Sequence, residues 1–275
     1  MPFVSVRDIT LYYEMAGSGA RLLFINGTGG DLRARPNIFQ SPLGDRFTLL
    51  AHDQRGLGQS DKPDCDYRME DYADDAAALM TAVGWDRAHV FGVSFGGMVA
   101  QHLALRHPER IDRLVLACTS AGGAGGASYP LHELQDMPPA QRAQFLVAIN
   151  DTRHDAAWQA ANPDTLRRMI DFRLAMGELS RDDPLAEKGA ARQLNARAGH
   201  DTYERLHRIT CPVFLCGGRY DGLARPENMT AMAARIPNAE LRFFEGGHLF
   251  LLQDAAAYPA IAEFLRDDDA QAVAG

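Results

Sequence analysis

The stretch His89-Val90-Phe91-Gly92-Val93-Ser94-Phe95-Gly96-Gly97-Met98 decides how this chain folds. Its first five residues make a short, mainly apolar run, as in a strand buried on both faces. From Met98 to His107 the pattern turns helical, and Pro108 stops it. Between strand and helix lies Gly92-Val93-Ser94-Phe95-Gly96. With 25 glycines and 8 serines in 275 residues, random order would yield Gly-x-Ser-x-Gly about 0.07 times. A serine on so sharp a turn needs neighbours without side chains, because flanking backbone passes close by. Gly92 and Gly96 meet that need, and Gly97 lets the helix pack near the strand. The helix N-terminus adds partial positive charge where an oxyanion would form. Ser94 is therefore the candidate nucleophile.

Working outward, the same apolar runs recur. Leu22–Ile25, Phe47–Leu50, Leu114–Cys118, Val213–Cys216 and Leu241–Phe244 read as further strands. Phe3–Val6 and Thr10–Glu14 alternate, which predicts a strand pair. Helical segments fall between them, near Glu70–Val83, Met98–His107, Pro226–Arg235 and Pro259–Leu265. Strands alternating with helices predict an α/β fold with a mostly parallel central sheet flanked by helices. The alternation stops at Ala121. Residues 121–208 contain no convincing strand, only a small-residue stretch and helical pieces at Pro139–Asn150, Pro163–Met176 and Ala190–Arg208. That is too long for a loop. The expected organisation is a core of residues 1–120 and 209–275, with 121–208 a helical cap inserted after the sixth strand. The tail from Asp267 is acidic and small, and is expected to fray.

A serine hydroxyl needs a base, and the base needs an orienting acid. His248 follows the last strand in the turn Glu245-Gly246-Gly247-His248. Asp221 follows the preceding strand in Gly217-Gly218-Arg219-Tyr220-Asp221. His52 lies before a different turn and His200 lies in the expected cap, so both are weaker candidates. Asn26-Gly27-Thr28-Gly29-Gly30 comes directly after Leu22–Ile25. Its Thr28 backbone N–H, with that of Phe95, would supply two donors to a tetrahedral oxyanion. A phosphate-binding loop is excluded, because neither this stretch nor Gly56-Leu57-Gly58 completes a nucleotide fingerprint.

Composition narrows the partners. Hydrophobic residues are 46% and charged residues 23%, so the chain is not a disordered one. Acid exceeds base by eight, which argues against nucleic acid and anionic membrane. No run reaches the length of a spanning helix, and no signal peptide is visible. Cys65, Cys118, Cys211 and Cys216 form no Cys-x-x-Cys pair and are expected as reduced thiols in a cytoplasmic protein. The oligomeric state stays open between monomer and homodimer.

These residues resemble the α/β-hydrolase family over nearly the whole chain. Besides Ser94, Asp221 and His248, Asp53-Gln54-Arg55-Gly56-Leu57-Gly58-Gln59-Ser60 is similar to the family's Asp-x-Arg-Gly-x-Gly-x-Ser loop. The enol-lactonases and small-ester hydrolases, 3-oxoadipate enol-lactonase among them, are the subgroup it resembles most. That resemblance implies a small ester or lactone substrate, a short helical cap and no cofactor. One departure is Asn26-Gly27, where the family's loop usually begins His-Gly. Alternatives on the same fold are hydrolysis of a C–C bond, an aminopeptidase, or a slow-turnover ligand receptor. Among the arginines of 121–208, Arg153, Arg167, Arg168, Arg192 and Arg197 are mostly expected on solvated faces. One of them binding a substrate carboxylate is the alternative.

Overall fold

Leu22 and Phe24 point to one side of the central sheet, and Leu23 and Ile25 to the other; all four are buried. Two-sided burial is why these strands read as continuous apolar runs rather than alternating ones. A computed structural model describes residues 2–266. The expected fraying from Asp267 lies outside the described residues.

The sheet holds β1 (Phe3–Val6), β2 (Ile9–Ala16), β3 (Ala20–Ile25), β4 (Phe47–His52), β5 (Ala88–Val93), β6 (Ile111–Ala117), β7 (Val213–Gly218) and β8 (Ala239–Phe244). Their order is β1-β2-β4-β3-β5-β6-β7-β8. β1 and β2 run antiparallel, as do β2 and β4, and every other pair is parallel. Helices α1 (Met69–Ala82) and α2 (Phe95–Arg106) cover one face, where Tyr72, Val99 and Leu103 pack on Val90 and Leu116. Between β6 and β7 come α3 (Pro139–Asn150), α4 (Ala156–Ala161), α5 (Pro163–Glu178) and α6 (Ala186–Ala198). α7 (Pro226–Ala233) joins β7 to β8 and packs on the α1 face through Met229 and Met232. α8 (Phe250–Gln253) and α9 (Ala257–Phe264) follow β8; Phe250 and Ile261 sit in the core on the opposite face.

Two sequence expectations need correction. The helix expected over Ala190–Arg208 is broken: α6 ends at Ala198, and a separate 3₁₀ stretch spans Tyr203–Arg208. Thr202 N–H donates to the Ala121 carbonyl at 2.8 Å, a tertiary bond that turns the chain inward between the two. α2 begins at Phe95, earlier than the Met98 expected.

The parallel register carries function. Ile25 lies opposite Gly92, Val93 opposite Ala117, Ala117 opposite Cys216, and Gly218 opposite Phe244. The segments leaving β3, β5, β6, β7 and β8 therefore emerge side by side at the C-terminal edge, where ligands bind open α/β sheets. Among the described residues, no helix is long and apolar enough to cross a membrane.

Candidate active site

Ser94 sits between β5 and α2 with φ 56° and ψ −116°, a conformation that costs a non-glycine residue energy. The fold over-determines it. Ser94 N–H donates to the Ala117 carbonyl at 2.8 Å, and Thr119 Oγ1 donates to the Ser94 carbonyl at 2.8 Å. A Cβ on Gly96 would collide with the Ile25 carbonyl, and one on Gly92 with the Gly96 carbonyl. A Cβ on Gly97 would stand 2.7 Å from Thr119 Cβ.

The structure brings all three candidate side chains together. Ser94 Oγ lies 3.0 Å from His248 Nε2, and His248 Nδ1 lies 2.7 Å from Asp221 Oδ2. With Nδ1–H donating to the carboxylate, Nε2 is the acceptor for the Ser94 hydroxyl. The other Asp221 oxygen accepts the Leu223 and Ala224 N–H groups, both at 2.8 Å. Ser94 and His248 are each 8% exposed and Asp221 is 2% exposed, so little water competes for these bonds.

The loop 26–30 lies against the serine: a Cβ on Gly27 would be 3.5 Å from Ser94 Cβ. Asn26 Oδ1 accepts the Gly27 N–H at 2.8 Å, so the residue replacing the usual His braces its own turn. Gln54 Nε2 donates to the Asn26 carbonyl at 2.9 Å. Thr28 N–H makes no hydrogen bond among the described residues, and Thr28 Oγ1 is buried without a partner. Phe95 N–H opens α2, where first-turn N–H groups have no intrahelical acceptor.

The Asp53–Ser60 loop is scaffold. Asp53 accepts the Leu32 and Gln59 N–H groups, while Arg55 bonds Asp75 and Asp8. Burial raises the Asp53 carboxyl to about 6 despite those two donors. His52 and His200 stand apart from Ser94. His52 is buried at the end of β4, and His200 bonds His102 and the Ser120 carbonyl.

Sequence reasoning missed four neighbours of the site. Cys118 follows β6 with φ 40°, and its Sγ lies within 4.8 Å of a carboxylate oxygen of Asp221 and a ring nitrogen of His248. Cys118, Asp221 and His248 together are the one cluster among the described residues with the spacing to hold a metal ion, but Asp221 and His248 are already bonded to each other. Burial, then the Asp221 charge, pushes the thiol well up, so it stays protonated. Asn150, closing α3, accepts the His248 N–H on its carbonyl at 2.5 Å. Turned so that its amide donates to Leu146, the Asn150 side chain accepts from Arg173 at 2.5 Å. Ile149 and Thr152 bond Gly222 and Tyr220 of the acid loop. No local signal marks these residues, because each matters through a contact distant in sequence.

Residues 20–255 match the family described as the alpha/beta hydrolase fold. The chain belongs to that family. This α/β hydrolase is 31% identical over 255 residues to a poly(3-hydroxyalkanoate) depolymerase of Ectopseudomonas oleovorans, covering 92% of this chain and 86% of that one. It is 26% identical to 3-oxoadipate enol-lactonase 2 of Acinetobacter baylyi, over 93% and 92% of the two chains. The crystal structure of the enol-lactonase from Burkholderia xenovorans LB400 superposes with a TM-score of 0.78 at 24% identity. That match spans 97% of this chain and 100% of the other.

Proposed function

We propose that this α/β hydrolase cleaves a small carboxylic ester or lactone through an acyl-enzyme on Ser94. The observation that carries the reading is the line Ser94 Oγ–His248 Nε2–Asp221, with contacts of 3.0 and 2.7 Å, on a glycine-flanked strained turn. In acylation, Ser94 Oγ bonds to the substrate carbonyl carbon while its proton passes to His248 Nε2. Asp221 holds the imidazole tautomer and balances the imidazolium. The oxyanion is met by the Thr28 and Phe95 N–H groups. The C–O bond to the leaving alkoxide then breaks, and Nε2 returns its proton to that oxygen. Water repeats the sequence: its proton goes to Nε2, its oxygen to the acyl carbon, and Ser94 regains its hydrogen. These steps use only the chain's own groups and water. Residues 121–208 serve as the cap that roofs the serine and selects the acyl group. The chemistry of the relatives' names supports the bond chosen, since a polyhydroxyalkanoate is a polyester and an enol-lactone a cyclic ester.

A serine-directed phosphonate tests the assignment. Mass spectrometry is expected to find one adduct, on the peptide containing Ser94. Ser94→Ala is expected to lower kcat about 10⁴-fold with an unchanged circular dichroism spectrum. An adduct on another serine overturns the reading.

A further inference from the structure

Of the five arginines that stood out in residues 121–208, Arg153 pairs with Asp151, Arg192 pairs with Asp64, and Arg167 and Arg168 are exposed. Arg197 is buried, with Nη2 donating to Ser128 Oγ at 2.6 Å. A different feature of the insertion points to a ligand. Where the end of α6 meets α1 and α2, there is a cavity of about 290 Å³. That is near the lower end of small-molecule sites, roughly 300 Å³. Its polar lining is Arg68 and Glu70 at the start of α1, His102 of α2, Asn195 of α6, and Asp201 and Arg205 beyond α6. Ser94, Asp221, His248, Thr28 and Phe95 do not line it, so it is separate from the candidate active site.

His102 is 3% exposed, and its neighbours fix what each ring nitrogen does. His200 Nε2 donates to the Ser120 carbonyl at 3.0 Å, so His200 Nδ1 accepts from His102 Nε2 at 3.2 Å. His102 Nδ1 is left on the side of the cavity-lining Glu70. It is buried and has no hydrogen-bond partner among the described residues. Burial, then Arg205 and Arg106, lowers the ring to about 4, so at neutral pH Nδ1 offers a lone pair. Glu70 Oε1 stands 3.6 Å away. Two acceptors thus face each other, and a donor placed between them would satisfy both. A protonated amine fits, because it brings three N–H groups and a positive charge to a carboxylate. Glu70 is 42% exposed, so its side chain can swing to admit one. Arg68 and Arg205 line the same space and would repel a plain cation. Arg205 spends Nη2 on the Asp201 carbonyl at 2.6 Å, which leaves its other donors for an anion. A molecule carrying both charges matches both halves of the lining.

We propose that this cavity is a second ligand site, for a small amino acid whose ammonium is shared by His102 Nδ1 and Glu70 and whose carboxylate meets Arg68 and Arg205. The proposal does not depend on what Ser94 does. An occupant would bridge α2, whose first residue follows Ser94, and α6, whose Gln193 Oε1 accepts the Gly29 N–H at 2.9 Å. Binding therefore fastens the insertion to the core. Calorimetric titration of the full chain with β-alanine, 4-aminobutyrate and 6-aminohexanoate tests it, with butylamine and butyrate as controls bearing one charge each. At least one amino acid is expected to bind saturably, about fivefold or more tighter than either control. The melting temperature is expected to rise by about 5 °C when that amino acid is present at about a hundred times its Kd. Glu70→Gln removes the charge and keeps the shape, and is expected to weaken binding about fivefold. His102→Gln keeps a donor for His200 and removes the Nδ1 acceptor, and is expected to weaken binding about tenfold. Ser94→Ala is expected to bind as the wild type does. Absence of saturable binding by all three amino acids overturns the proposal. So does binding that Glu70→Gln leaves unchanged, a test at a partly exposed position that holds even if His102→Gln fails to fold. Equal affinity for butylamine overturns the carboxylate assignment. Binding lost in Ser94→Ala would put the ligand in the active site and overturns the second site.

Discussion

A serine with φ 56° stores roughly 1–3 kcal/mol of strain, and the surrounding backbone must hold it there. Gly96 is where that demand is sharpest, since any Cβ would meet the Ile25 carbonyl, which is part of the rigid β3 backbone. Gly96→Ala is therefore expected to cost about 1–3 kcal/mol of stability, the range for overpacking, and to reduce kcat by displacing Ser94. Gly177, in α5, has no atom within 4 Å of an added Cβ. Gly177→Ala should be neutral or stabilise by up to ~1 kcal/mol, because alanine is the better helix former. Denaturant midpoints of the two variants check both statements; equal midpoints would remove the argument that Gly96 is sterically required. That a glycine belongs here was legible from the Gly-x-Ser-x-Gly spacing of the turn, but the Ile25 carbonyl that enforces it lies far off in sequence. The Ser94, Asp221 and His248 side chains were legible as candidates for a related reason: each stands shortly after a recognisable apolar strand. Cys118 and Asn150 were not, since nothing local distinguishes a thiol or amide that will lie beside the pair Asp221–His248 from one in ordinary core.

Among elements, the join between α2 and the segment after α6 carries a buried pair of histidines. His200 Nε2 donates to the Ser120 carbonyl at 3.0 Å, so its Nδ1 accepts from His102 Nε2, 3.2 Å away. The His200 ring is therefore neutral. Burial lowers His200 to about 3, with His102 a further cause. Burial, then Arg205 and Arg106, lowers His102 to about 4. Glu70 stands 3.6 Å from His102 Nδ1 and would raise it, but Glu70 is partly solvated and burial prevails. His52 is likewise lowered to about 4 by burial. The unfolded chain binds protons on these rings below about pH 6.5, whereas the folded chain refuses them until about pH 4. Stability is thus full above pH 6.5 and is lost as pH falls toward 4. Asp53, raised to about 6, and Asp75, also raised by burial, oppose this, because the folded state takes up their protons first. Urea midpoints measured from pH 7.5 to 4 are expected to fall, and His200→Gln to flatten the slope. A flat wild-type profile would mean the rings are not buried neutral. The sequence read this region as one helix over Ala190–Arg208, because periodicity cannot sense the bond from Thr202 to Ala121 that breaks it. α4, only six residues long, gave too short a pattern to register.

Across the whole molecule, residues 121–208 are fastened to the core at several points. Lys62 meets Asp183 at 2.8 Å, Arg33 reaches Ser180 at 3.1 Å, and Arg192 holds Asp64 and the Pro63 carbonyl. That these residues form a helical insertion was legible from the missing strands. Which face docks was not, because docking depends on pairs more than a hundred residues apart. The contact with most consequence is Gln193, whose side chain is fully buried on α6 and whose Oε1 accepts the Gly29 N–H at 2.9 Å. Gly29 adjoins Thr28, so a helix of the insertion sets the position of one proposed oxyanion donor. Gln193→Leu fills similar volume and removes the acceptor, leaving the Gly29 N–H without its partner. Such a loss is worth about 1–3 kcal/mol. If the loop moves in response, the oxyanion loses a donor and kcat is expected to fall on the order of tenfold or more, with KM for a neutral ester changed less. Gln193→Glu keeps a carbonyl-type acceptor at the same place and is expected to recover most of the rate. Steady-state kinetics on a 4-nitrophenyl ester, with thermal melts as a check on folding, decide the matter. A Gln193→Leu enzyme with wild-type kcat would show that the core alone positions the loop, and that the insertion contributes to substrate choice without touching the chemistry.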